Sequence, residues 1–177
     1  MMFRLIILLV FLLPVTVQAQ SSLVIAKAFR SHDVNDTLSL FMQNESRPLP
    51  KKDEPTYSIT ITVTDIRNSD GVIRFKFFDD ATPFPDAKGF LRIAVPKSEI
   101  NGNTFTATYY GFPSQQMGIA LLDDENDNWE LDMGWFFPKE GHAFSNYNHS
   151  SLRKPVYKDF RFLLTGDTHV TMKMKYY

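Results

Sequence analysis

The chain has 177 residues, a formal charge of -1 and no cysteine. Its length suits one domain behind an export segment. The near-neutral balance without a basic stripe argues against nucleic-acid binding, and the missing thiols exclude both a disulfide framework and a lipid carried on a cysteine after a leader.

Residues 1–19 read as a cleaved signal peptide: Arg4 in a short n-region, an apolar run from Leu5 to Leu13, Pro14 as a breaker, and Val17-Gln18-Ala19 as a small-residue cleavage site. That run is too short to span a bilayer. The mature chain is therefore expected in the periplasm or outside the cell, with no membrane span and no lipid anchor. Residues 20–55 read as an N-terminal extension or linker. Leu23-Val24-Ile25 and Leu38–Met42 are apolar islands in it, separated by polar, proline-punctuated stretches.

From Tyr57 the period becomes two. Tyr57, Ile59, Ile61 and Val63 alternate with Ser58, Thr60, Thr62 and Thr64, which predicts a strand with one apolar and one hydroxylated face. Asn68-Ser69-Asp70-Gly71 supplies a tight turn, and Ile73, Phe75 and Phe77 alternate with Arg74 and Lys76 on the next strand, so a hairpin is expected. Leu91, Ile93 and Val95 predict a third strand, stopped by Pro96; Asn101-Gly102 marks a second hairpin turn before Phe105, Ala107 and Tyr109. Met117 to Leu122 is almost continuously apolar, as expected for a strand at a sheet centre. Phe160, Phe162 and Leu164, the turn Gly166-Asp167, and Val170, Met172, Met174 and Tyr176 give a closing pair of strands. The expected fold is all-β: an antiparallel two-sheet sandwich of about seven strands over residues 56–177.

The least ordinary stretch follows the central strand. Asp123, Asp124, Glu125, Asp127, Glu130 and Asp132 crowd six carboxylates into ten residues with no Lys or Arg between them. Such a run is either a solvated turn or a cation site. Asp124, Asn126, Asn128 and Asp132 fall at positions 1, 3, 5 and 9 of a calcium loop, with Glu130 where such loops use a backbone carbonyl. Trp129 stands where that loop needs glycine, and Trp135 where it needs a bidentate Glu. The cofactor expectation is accordingly none, or Ca2+ held by Asp124, Asn126, Asn128, Glu130 and Asp132. Residues 123 to 154 show no period, and a loop of that length is expected to be functional or held by its own aromatics. Trp129, Trp135, Phe136, Phe137, Phe144 and Tyr147 are the candidates for that packing, and Trp129, Trp135 and His142 the candidates for contact with a ligand or partner.

The domain resembles the domain-of-unknown-function 2141 family of exported bacterial proteins. The resemblance rests on Asp65-Ile66-Arg67-Asn68 with Gly71, Phe84-Pro85, Asp124-Glu125-Asn126 with Asn128, Leu131-Asp132, Pro138-Lys139-Glu140-Gly141, Phe144-Ser145-Asn146 and Gly166-Asp167-Thr168. It implies an immunoglobulin-like or transthyretin-like sandwich. The chain departs from the family pattern at Asp123, where the family has His, at Asp127 and Trp129, where it has glycines, and at His142-Ala143, where it has an aromatic-Gly pair.

The function expected is a non-catalytic exported module with a binding or structural role through loop 123–147, its partner an unidentified ligand or protein. The alternative is a hydrolase drawing on Ser145, His142, His149, Glu140 and Asp132 of the same loop. No nucleophile elbow, paired-histidine metal motif or phosphate loop supports that alternative.

Overall fold

A computed structural model describes residues 54–82, 84–85, 88–150 and 153–177. The signal peptide and nearly all of the extension lie outside these residues. Among the described residues no helix is long and apolar enough to cross a membrane.

Among the described residues eight strands run in chain order: β1 Thr56–Thr64, β2 Val72–Phe78, β3 Leu91–Pro96, β4 Phe105–Pro113, β5 Gln115–Asp124, β6 Gly141–Phe144, β7 Arg161–Leu164 and β8 Thr168–Lys173. One helical turn, α1 Tyr157–Phe160, precedes β7. The strands make two sheets, β4-β1-β8 and β3-β2-β5-β6, with β7 pairing with β5 beyond the end of β6. The expected all-β sandwich is what forms, with an additional short strand, β6, inside the segment that shows no sequence period. Every pair is antiparallel except β1 with β8, which is parallel.

Alternation places the core. Ile59, Ile61 and Val63 of β1 and Val170 and Met172 of β8 face Phe75, Phe77, Ile93, Ile119 and Leu121 of the other sheet, all of them 3% exposed or less and in one cluster. Each such side chain contributes about 1.5–3 kcal/mol by leaving water. The hydroxylated face of β1 lies outside, where Thr60 bonds Thr108 across the strands at 2.9 Å. A second cluster covers the outer face of the larger sheet: Phe84, joined to Pro85 by a cis peptide bond, packs edge-on against Phe78, Phe144 and Phe160. Gly118 lies beneath this cluster because a methyl group there would strike the Phe160 ring.

The turn signals were expected to close hairpins, and here the structure differs. β1 and β2 lie in different sheets, as do β3 and β4, and β7 and β8. Asn68–Gly71, Asn101-Gly102 and Gly166-Asp167 are therefore corners where the chain crosses from one sheet to the other. A left-handed residue reverses direction in both cases, as at Gly71 with φ 75° and Gly102 with φ 78°. The local turn does not encode which sheet receives the next strand.

Candidate functional site

The acidic run begins inside β5. Consecutive strand residues point to opposite faces, so Asp123 turns between the sheets and Asp124 onto the outer face of the larger one. Both are fully buried. An ionised carboxylate in that setting needs a partner, and none is near in sequence. Lys97, itself 1% exposed, brings Nζ to 2.7 Å from Asp123 Oδ1, and the Tyr176 hydroxyl donates to Oδ2 at 2.6 Å. Lys97 also donates to Asn68 Oδ1. Burial and the bond to Asp123 raise the Tyr176 hydroxyl above its ordinary value.

On the outer face, Arg74 donates through Nε to Asp124 and through its terminal nitrogen to Asp127. Asp124 also accepts from the backbone N–H of Asn128 at 3.0 Å and of Trp129 at 2.9 Å. Burial pushes Asp124 up, but the Arg74 bond and these two N–H groups outweigh it and hold the carboxyl below its usual range. Glu125 is gripped from the β1–β2 corner: Arg67 binds it with two bonds of 2.6 and 2.8 Å and Asn68 Nδ2 adds one of 2.9 Å. The Arg67 bond depresses its pKa. Gly71 lets this corner approach, since a Cβ there would run into the Asp124 carbonyl.

Glu140 closes the loop from its far end. It is 4% exposed, and its two oxygens accept the N–H of Glu125 at 3.0 Å and of Asp132 at 3.1 Å. Burial raises its pKa. The run is thus only in part the solvated turn that charge crowding suggests: Asp127 and Glu130 are exposed, while Asp123, Asp124 and Glu125 at its base are met by cations from the turn after β3, from β2 and from the β1–β2 corner.

Above this base the chain forms a narrow hairpin. Lys139 N–H donates to Asp132 O at 2.8 Å and Gly134 N–H to Phe137 O at 2.7 Å, with Met133 bridging to Pro138. Trp135 and Phe136 at its tip are 97% and 83% exposed, and Met133 is 60% exposed. The expectation that the loop is packed by its own aromatics holds for Phe144 and Tyr147, which join the outer cluster, and fails for Trp135 and Phe136. They fail to pack because hydrogen bonds and ion pairs, not apolar contacts, hold the loop.

Comparison with known proteins bears on this arrangement. A family described as "Uncharacterized protein conserved in bacteria (DUF2141)" matches residues 61–173. The chain belongs to the DUF2141 family. No curated protein and no solved structure matches it. Among the residues that carry its resemblance to DUF2141, Arg67, Asn68, Gly71, Asp124, Glu125 and Glu140 belong to the base of this loop. Asp127 and Trp129 both have left-handed backbones, with φ of 58° and 71°. Aspartate tolerates this region. A tryptophan there costs roughly 1–2 kcal/mol, and its ring offsets a similar amount by lying 3.5 Å from the Arg74 guanidinium carbon.

The five calcium-pattern residues of this DUF2141 chain divide into two groups. Asp124 is engaged by Arg74. Asn126 and Asn128 direct their amide nitrogens to the two oxygens of Asp132, at 2.7 and 3.1 Å, while their own oxygens accept the N–H groups of Asn128 and Glu130. Glu130 is exposed. Among the described residues no three His, Asp or Glu side chains gather as metal ligands. The three partner candidates occupy separate settings: Trp129 on Arg74, Trp135 at the tip, and His142 on β6, stacked on Tyr177 at 5.8 Å. Tyr177 in turn stacks on Phe137 at 4.8 Å, which links His142 to the hairpin. Burial, then His149 and Lys175, lower the His142 pKa to about 4.

The residues of the hydrolase alternative have structural duties. Ser145 is 1% exposed, donates to Phe160 O at 2.6 Å and accepts Ile119 N–H at 2.9 Å, so its hydroxyl pins α1 to β5. His149 Nδ1 lies 3.1 Å from the Tyr147 hydroxyl. Sequence reasoning missed Lys97, Arg74 and Arg67 as members of the site. The available signal was the acidic run itself: so many carboxylates without a local cation require cations from elsewhere once any of them is buried.

Proposed function

We propose that this DUF2141 domain is an exported, non-catalytic binding module that inserts hairpin 132–139 into an apolar pocket on another protein. The observation that carries the reading is the exposure of Trp135 and Phe136 at the end of a loop whose base is immobilised by buried ion pairs. Of the nine exposed large hydrophobic residues among those described, six lie between Trp129 and Phe137. Concentrated exposure of that kind marks interaction surfaces, and a pre-ordered aromatic anchor loses little conformational freedom on binding. Asp127, Glu130 and Asp132 flank the hairpin, so a basic rim around the partner's pocket fits better than an anionic membrane.

A photo-reactive phenylalanine at position 136, in the full chain produced in its native host, tests this. The expected result is an adduct of discrete mass that disappears on Trp135→Ala. No adduct, or the same adducts from a probe at Lys173 on the opposite sheet, would sink the reading.

Calcium is a second element of the proposal, favoured by the left-handed backbone at Trp129, the position where calcium loops turn sharply. With Asp124 held by Arg74, the donors would be Asn126, Asn128, Glu130 and Asp132, a weak set suited to an ion-rich exterior. At a hundredfold excess over its dissociation constant the ion would add about 2.7 kcal/mol to stability. A melting scan in millimolar calcium and then in chelator reads this directly, and identical curves would remove the ion.

A further inference from the structure

We propose that the outer face of β2 and β3, beside Trp129, is a binding site for a small oxyanion of the phosphate or sulfate class, held between Lys76 and Arg92. This site is separate from the hairpin.

Lys76 and Arg92 are directly opposed in the antiparallel register of β2 and β3. Both alternate with buried core residues, so both project from the outer face, and both are partly buried there. Side chains so paired start about 4.5–5.5 Å apart at Cβ, and like charges in that relation destabilise a sheet. Burial, then Arg92 and Arg74, lower the Lys76 pKa, which registers the same conflict.

Among the described residues nothing nearby relieves it. The residue across from Lys76 on β5 is Ala120, and β3 is the edge of its sheet. The neighbouring carboxylates, Asp124 and Asp127, are bonded to Arg74. Among the described residues Lys76 and Arg92 have no hydrogen-bonding or ion-pair partner, whereas Arg67, Arg74 and Lys97, three of the cations at the loop base, each meet a carboxylate. A molecule that pairs those three and leaves two opposed cations half out of water has room for an external counter-charge.

Arg74, Lys76, Arg92, Ala94 and Trp129 line one small, shallow depression whose accessible wall is apolar. The guanidinium of Arg92 offers a planar donor fork and Lys76 a mobile point charge, a combination suited to a tetrahedral oxyanion. Trp129 supplies an apolar wall for whatever carries the anion.

The test uses the full chain carrying Trp135→Phe, so that Trp129 is the sole indole. Its fluorescence is followed while inorganic phosphate or sulfate is added at constant ionic strength against chloride. Parallel arms use phosphatidylcholine vesicles with and without phosphatidylglycerol. A saturable millimolar response to free phosphate or sulfate, or one confined to the phosphatidylglycerol vesicles, supports the site and tells the free ion from a lipid phosphate. Lys76→Gln and Arg92→Gln should each weaken the response by about tenfold or more, while Lys173→Gln, on the other sheet, leaves it unchanged. Because a variant can misfold, amide shifts in the unmodified protein should concentrate at residues 74–76 and 92–94. The proposal is overturned by a response that only tracks ionic strength, by saturable binding that survives both substitutions, or by shifts that fall elsewhere.

Discussion

The two ends of one loop are built on opposite principles. At its base, Asp123, Asp124 and Glu140 are withdrawn from water and every one of them is bonded to a cation, a hydroxyl or a backbone N–H. At its tip, Trp135 and Phe136 stand in solvent. Charged residues are inside and aromatic residues outside, the reverse of the usual partition. Rigidity at the base is what allows an apolar tip to project without collapsing onto the sheet.

This contrast makes ordered demands. The largest effect is expected from Lys97→Met, which strands buried Asp123 and should cost about 3–5 kcal/mol in chemical denaturation. A loss below about 1 kcal/mol would mean the base is not held by that pair. Next is Glu140→Ala, which removes the acceptor of two loop N–H groups and should cost about 1–3 kcal/mol, with faster hydrogen exchange at Glu125 and Asp132 as the local sign.

A pH series sharpens the comparison further. The folded His142 pKa, near 4, lies below the ordinary 6.5. Its contribution to stability is therefore complete above 6.5 and lost as pH falls toward 4. Asp124 and Glu125, also depressed, lose theirs only at lower pH, while raised Glu140 acts with the opposite sign. Denaturation midpoints should thus slope downward between those two values, and His142→Phe should flatten that slope. The smallest effect belongs to the tip: Trp135→Ala with Phe136→Ala should change stability by no more than about 0.5 kcal/mol. A substantial loss of stability would show that the tip serves the fold.

The sandwich was legible because period-two alternation is strong in β1, β2, β3 and β8, and each inward residue it marks is buried: Ile61, Phe75, Ile93 and Met172 are all 1% exposed or less. The sheet partners were not legible, since Asn-Gly and Asp-Gly signals describe a reversal and say nothing about the receiving sheet. At the site, the acidic run was found but its environment was misjudged. Asp123 and Asp124 look like loop residues from sequence, yet they are the last two positions of β5 and inherit its burial. Their cations lie 26 and 50 residues away, beyond what spacing can reveal.

The parallel contact between β1 and β8 carries a temporal consequence. β1 receives its second neighbour only from residues 168–173, the last of the described strands. A growing polypeptide cannot complete the smaller sheet until those residues have been made, and pairing across so long a separation is slow. For a chain exported as we propose, that delay favours passage through a translocation channel before the sheet has closed.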